Sequence, residues 1–158
     1  MAASPNNMKV FTERYNYEVI SYDKLNMLRH VRYFGNYEGV LKHMQKHKAV
    51  LAPKFAIVLD TLEKELVPAG IGQWTNPNGG YFVSIDVCEG TAKRVVQLCK
   101  EAGLVLTGAG ATYPNGNDPK DSNIRIAPSF PPNDELQTAM DLFCICVKLA
   151  ACEKLLEA

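Results

Sequence analysis

The sequence predicts an α+β domain: a small, mainly antiparallel sheet of three to four strands packed with helices, with a long kinked helix leading in. Three observations carry this. A helical apolar pattern runs from Asn36 to about Val67, two short stretches alternate with period two around a Gly-rich turn, and the closing stretch is helical again. With 158 residues, 47% of them apolar and 22% charged, the chain is long enough for one core and too apolar for disorder.

Residues 1–35 mix aromatic, basic and Asn residues, and helical spacing shows only over Asp23 to Val31, through Leu25, Leu28 and Val31. Val10, Phe11, Tyr15, Tyr17, Val19, Ile20 and Tyr22 arrive without strong turn signals, so this segment is expected to need a neighbour outside the domain. The long helix follows, with Asn36 as N-cap, Glu38 in its first turn and Val40, Leu41, Met44, Leu51, Phe55, Val58, Leu59, Leu62 and Leu66 as apolar positions. At ~1.5 Å per residue it spans roughly 45 Å, more than a compact domain of this size needs, so something should lie beyond one of its ends. Pro53 has no N–H for the carbonyl of Ala49, which predicts a kink or two consecutive helices, and Pro68 and Gly70 end the pattern.

Gly70–Thr75 and Tyr81–Val87 form a hairpin around Asn76-Pro77-Asn78-Gly79-Gly80. Phe82, Ser84 and Asp86 alternate with Tyr81, Val83, Ile85 and Val87. A short helix opens at Gly90-Thr91, buries Ala92, Val95, Val96, Leu98, Cys99 and Ala102, and closes at Gly103. Leu104–Thr107 reads as a short strand. The loop Gly108 to Lys120, dense in Gly, Asn, Asp and Pro, is long enough to be functional or ordered by a partner. Asn123–Pro128 is a further strand, and the last helix starts at Pro131-Pro132-Asn133-Asp134-Glu135 and runs to Leu156.

Lys plus Arg and Asp plus Glu number 17 each, so no net field favours nucleic acid or anionic lipid. No apolar run reaches the ~20 residues of a membrane span, and the first residues lack the basic and apolar blocks of a secretory signal, so a cytosolic protein is expected. The five cysteines, Cys88, Cys99, Cys144, Cys146 and Cys152, contain no Cys-x-x-Cys pair and read as reduced apolar fillers.

His43 and His47 stand four apart on the long helix, the spacing of helical metal sites. Met44 occupies the place of a zinc protease's general base, and Lys42, Lys46 and Lys48 surround the pair, so a solvated basic face is expected and no metal. Ser21-Tyr22-Asp23-Lys24 has Ser-x-x-Lys spacing without the companion motifs of that enzyme class. Gly108-x-Gly110 is followed by Tyr113-Pro114 instead of a helix, which does not suit a dinucleotide cradle. Arg125 says more. Alternation over Asn123–Ala127 places Asn123, Arg125 and Ala127 on one face with Ile124 and Ile126 on the other, and a guanidinium in such a strand must be paired. Its partner is either a planar carboxylate ligand or a structural ion pair with Asp86 or Glu101.

The ordered set Gly79-Gly80-Tyr81-Phe82-Val83, Gly103-Leu104-Val105-Leu106-Thr107 leading to Gly110-Ala111-Thr112-Tyr113-Pro114, and Asn123-Ile124-Arg125-Ile126-Ala127-Pro128 resembles the C-terminal third of fold-type-I pyridoxal-phosphate aminotransferases. The likeness is to class I, closest to the aspartate-aminotransferase-like branch grouped under the MocR-type name. It covers nearly the whole chain, including Leu28-Arg29-His30-Val31-Arg32-Tyr33-Phe34.

The resemblance implies that residues 36–158 are the small domain, and that residues 1–35 pack on a large domain or a twofold-related subunit. Asn36–Val67 would join the small domain to the large one. Arg125 would grip the substrate α-carboxylate, with Arg29 and Arg32 as cations for a distal carboxylate or as interface or surface ion pairs. The full-length enzyme would be a pyridoxal-phosphate-dependent homodimer exchanging an amino group between aspartate or glutamate and a 2-oxo acid. The family's Schiff-base lysine lies in a Ser-x-Ser-Lys-like segment that this sequence lacks, since Lys24 follows Asp23. The chain is therefore expected to be a piece of a longer enzyme, without catalytic lysine or bound coenzyme and inactive alone. The alternative is a stand-alone, non-catalytic α+β interaction domain derived from that fold.

Overall fold

The computed structural model describes residues 2–157. They form helices α1 (Pro5–Glu18), α2 (Lys24–Phe34) and α3 (Tyr37–Leu66), strands β1 (Gln73–Trp74) and β2 (Val83–Asp86), helix α4 (Ala92–Glu101), strand β3 (Asn123–Ile126) and helix α5 (Asn133–Leu156). The chain divides into two compact units, one ending at His47 and the other beginning at Lys48.

In the first unit the sequence-based expectation was too sparse. Helix α1 lies where no periodicity pointed, because its start is written in the cap instead: Ser4 Oγ accepts from Asn7 N–H at 3.5 Å and Pro5 occupies the first turn. Asp23 caps α2, accepting from Asn26 N–H at 2.9 Å. Neither helix buries a residue, and Val10, Tyr17, Ile20, Tyr22, Leu25, Met27 and Val31 are all exposed. Gly35, at φ 71°, turns the chain into α3, whose amide at Gly39 is capped by Asn36 Oδ1 at 2.9 Å. A Cβ at Gly39 would collide with the Phe34 carbonyl, so the tightness of this corner requires glycine.

Helix α3 passes through Pro53 as one helix, so the expectation of two consecutive helices is corrected. Downstream of Lys48, its apolar stripe of Val58, Leu62 and Leu66 enters the core with Val95 and Cys99 of α4 and Leu136, Met140, Phe143, Val147 and Ala150 of α5. The sheet has order β1-β2-β3 and is antiparallel throughout. Its register pairs Val83 with Ile126, Ser84 with Arg125, Ile85 with Ile124 and Asp86 with Asn123. Val83, Ile85, Ile124 and Ile126 therefore share the core face, and Ser84, Asp86, Asn123 and Arg125 share the other.

The strand expected at Leu104–Thr107 does not form; the segment makes no ladder, and the sheet has three strands. Leu104 and Leu106 are half-buried against the core and Val105 is exposed. Side-chain packing alone accounts for the alternation that mimics a strand. Two pairs tie the helices: Arg94 holds Glu153 through two bonds of 2.7 and 2.8 Å, and Lys148 holds Glu65 at 2.6 Å. No helix among the described residues is long and apolar enough to cross a membrane.

All five cysteines are free. Burial pushes the Cys99 and Cys144 thiols up to about 12, whereas Cys152 is exposed. Titration with an aromatic disulfide at pH 8 should modify Cys152 rapidly and leave Cys99 and Cys144 untouched until the chain is unfolded. Fast modification of either buried thiol in the folded chain would contradict this packing.

Candidate functional site

The core-averted sheet face carries a polar network with Asn123 at its centre. Asn123 Nδ2 donates to Asp86 Oδ1 at 2.7 Å and to Ser84 Oγ at 2.9 Å, while Thr112 Oγ1 donates to Asn123 Oδ1 at 2.6 Å. Asp86 thus pairs with the residue directly across the ladder, and Glu101 accepts from Gln97 on its own helix. The structural ion pair considered for Arg125 does not form with either acid.

Arg125 makes no salt bridge or hydrogen bond through its side chain among the described residues. Its guanidinium carbon stands 4.4 Å from the centre of the Phe82 ring. Phe82 precedes Val83 of β2 and lies on the diagonal from Arg125, within reach of an aromatic side chain. The Arg125 Nε is sealed from solvent and has no acceptor, the one such buried side-chain atom among the described residues. The two terminal nitrogens retain accessible surface and remain unpaired. A stack on Phe82 is worth about 0.5–2 kcal/mol and leaves the outer edge of the fork free for two parallel bonds to a planar anion.

The loop expected to be functional lies beside this face and is held from within. Asp118 is buried and accepts from the backbone N–H groups of Ser122 and Asn123, both at 2.8 Å, and of Lys120 at 3.0 Å. Gly110, at φ 79°, donates its N–H to the Asn123 carbonyl at 3.4 Å. A Cβ there would come within 2.5 Å of the Gly116 carbonyl oxygen, which reserves the position for glycine. A cavity of about 380 Å³ opens on the same strand, between Arg125 and Ile126 on one side and Leu106, Phe130, Leu136 and Met140 on others.

Arg29 and Arg32 project from α2 in the first unit, exposed and without a carboxylate partner among the described residues. The Ser21-x-x-Lys24 spacing makes no dyad, because Asp23 caps the helix between them and Ser21 Oγ donates to the Tyr22 carbonyl. His43 and His47 do converge. No group of three or more His, Cys, Asp or Glu residues is placed to hold a metal among the described residues. The residue missed from sequence is Phe82. Its alternation with Ser84 and Asp86 was visible, but the register against β3 that brings it to Arg125 was not.

A family model described as aspartate amino-transferase matches residues 1–158, and the chain belongs to that family. An aspartate aminotransferase of Corynebacterium glutamicum is 52% identical over 95% of this chain and 35% of its own length. A putative aminotransferase of Mycolicibacterium smegmatis is 47% identical over 99% of this chain and 36% of its own. The crystal structure of an aspartate transaminase from C. glutamicum superposes with a TM-score of 0.88 at 51% identity, covering 96% of this chain and 36% of that one. The chain thus spans about a third of the length of the relatives it matches.

The Asp118 carboxyl is held below the usual carboxylate range, chiefly by the Asn123 N–H and then by those of Ser122 and Lys120, against the opposing effect of burial. A depressed folded-state value means stability that is present above the unfolded value of about 3.9 and lost as pH falls through the folded one. Asp118→Asn should therefore melt below wild type at pH 7, with a gap that narrows by pH 3 in thermal melts. A gap independent of pH would contradict the assignment.

Proposed function

We propose that this chain is a C-terminal fragment of a pyridoxal-phosphate-dependent aminotransferase, with residues 36–158 as its small domain, and that Arg125 binds the α-carboxylate of the amino-acid and 2-oxo-acid substrates. The observation that carries the reading is the guanidinium itself: stacked on Phe82, sealed at Nε, unpaired at its outer edge and free of both acids that could have neutralised it. A cation held in this way is arranged for an anion that comes and goes.

The sequence likeness to enzymes named aspartate aminotransferase supports aspartate or glutamate as amino donor, with Arg29 and Arg32 as candidate contacts for the distal carboxylate. Residues 1–35, whose helices bury nothing, suit a segment that packs on a large domain or on the second subunit of a homodimer.

The residues present do not fit the coenzyme. Lys54, the one buried lysine among the described residues, donates to the Pro131 carbonyl, and Lys120 and Lys148 hold Glu89 and Glu65. Among the described residues no lysine amine stands free in an enclosed pocket to form a Schiff base. The role derived for this chain is to orient the substrate by a two-point grip, which restricts rotation about the bonds next to the reacting carbon. Alone, the chain is expected to be inactive and to hold no coenzyme.

In the full-length enzyme, Arg125→Ala should lower kcat/KM by about 10- to 150-fold, corresponding to about 1.5–3 kcal/mol for a hydrogen bond between charged groups, with most of the change in KM. Arg125→Lys should recover only part of it, because an ammonium lacks the planar fork. Steady-state kinetics at varied amino donor test this, and kinetics unchanged in Arg125→Ala would remove the residue from the site.

A further inference from the structure

The basic stretch of α3 contains a second arrangement that the proposed function does not use. His43 and His47 turn their imidazoles toward each other, with Nε2 atoms 2.9 Å apart and the rings edge to face at 76°. On the other side of His43, Nδ1 lies 3.4 Å from the Tyr33 hydroxyl, and the Tyr33 and Phe34 rings each stand edge-on to His43 at 5.4 Å. All four residues belong to the first compact unit. Two facing ring nitrogens at this distance share one proton, one donating and the other accepting. Both can present lone pairs at once only when a cation stands between them.

We propose that His43 and His47 form a two-point site for a tetragonal divalent transition-metal ion, Ni²⁺ or Cu²⁺, with water at the remaining positions. The 2.9 Å separation is that of a hydrogen bond, and it already matches a tetragonal ion. With metal–nitrogen bonds of ~2.0–2.1 Å, nitrogens this far apart subtend close to a right angle, so such an ion can replace the shared proton with little movement, whereas a tetrahedral ion would have to spread them to about 3.3 Å. Binding moves the shared proton from Nε2 to Nδ1 of its own ring, with no net release from neutral imidazoles. On His43 the Nδ1–H then faces the Tyr33 oxygen, the outer-shell hydrogen bond that fixes a ligating histidine's tautomer. This departs from the expectation of a solvated basic face without metal: spacing alone does not show that the two rings converge, and Lys42, Lys46 and Lys48 are exposed, so their charges are screened by water and salt. This inference is independent of the proposed function.

The test is calorimetric titration of the chain with NiCl₂. One Ni²⁺ should bind, and His43→Ala and His47→Ala should each weaken it at least tenfold, since losing even an outer-shell partner costs about 10- to 100-fold. Tyr33→Phe should weaken it less than either, as befits a positioning residue. His30→Ala should leave it unchanged, because His30 Nδ1 is already engaged with the Asn26 carbonyl at 2.8 Å. ZnCl₂ should bind less tightly than NiCl₂. Alanine at these helical positions favours the helix, and circular dichroism verifies that each variant is folded. Ni²⁺ binding that survives both substitutions, falls equally in His30→Ala, or is weaker than Zn²⁺ binding would overturn the proposal.

Discussion

A guanidinium without a counter-charge sets the terms for the rest of this structure. A charge taken partly out of water normally acquires a carboxylate, because an unpaired one is costly. Arg125 instead rests on an aromatic face with Nε shut in and unsatisfied. Such a residue keeps its place only if the surrounding chain fixes it more strongly than its own solvation pulls it away. What fixes it is a three-stranded sheet whose opposite face is packed by Val83, Ile85, Ile124 and Ile126 against three helices. Slipping the register by one residue would send Arg125 into that core and the isoleucines into solvent, so the packing that stabilises the domain also fixes the direction of the cation.

The polar neighbours serve the same end by removing competitors. Asp86 is the acid nearest in register, and it is occupied by Asn123, the residue directly opposite. Asn123 in turn is held by Thr112 through its side-chain oxygen and by Asp118 through its amide, so the loop from Gly108 to Lys120 and the strand order each other. The loop's length and composition suggested a functional or partner-ordered segment, and its end is tied from within by a carboxylate with three backbone donors. A loop end tied in this way beside an unpaired cation leaves less to be ordered when an anion binds, a cost that would otherwise subtract from affinity.

Much of this was legible in the sequence, for identifiable reasons. The hairpin, α4, β3 and α5 are each written in a local period closed by a turn or cap residue, and the core positions follow from those periods. Helix α1 escaped because it buries nothing and so has no apolar stripe to announce it; its signal is the Ser4-Pro5 cap. Leu104–Thr107 misled in the opposite sense, since alternation reports which side chains are covered and not whether a ladder forms. Pro53 predicted a kink or two consecutive helices, and the second alternative fails because the downstream apolar stripe, packed in the core, carries the helix on. The direction of Arg125 was readable from alternation, but its true neighbour depends on the register between β2 and β3, a long-range fact that no local pattern contains. Asp86 and Glu101 were reasonable partners for it, and both are engaged elsewhere.

The proposed role of Arg125 requires a carboxylate at the outer edge of its fork, and a crystal structure shows that contact most directly. The full-length enzyme crystallised with maleate, an unreactive dicarboxylate, should place one carboxylate within hydrogen-bond distance of both terminal nitrogens of Arg125, with Phe82 still stacked behind the guanidinium. Maleate bound elsewhere, with Arg125 paired to an acidic side chain of the protein, would contradict it.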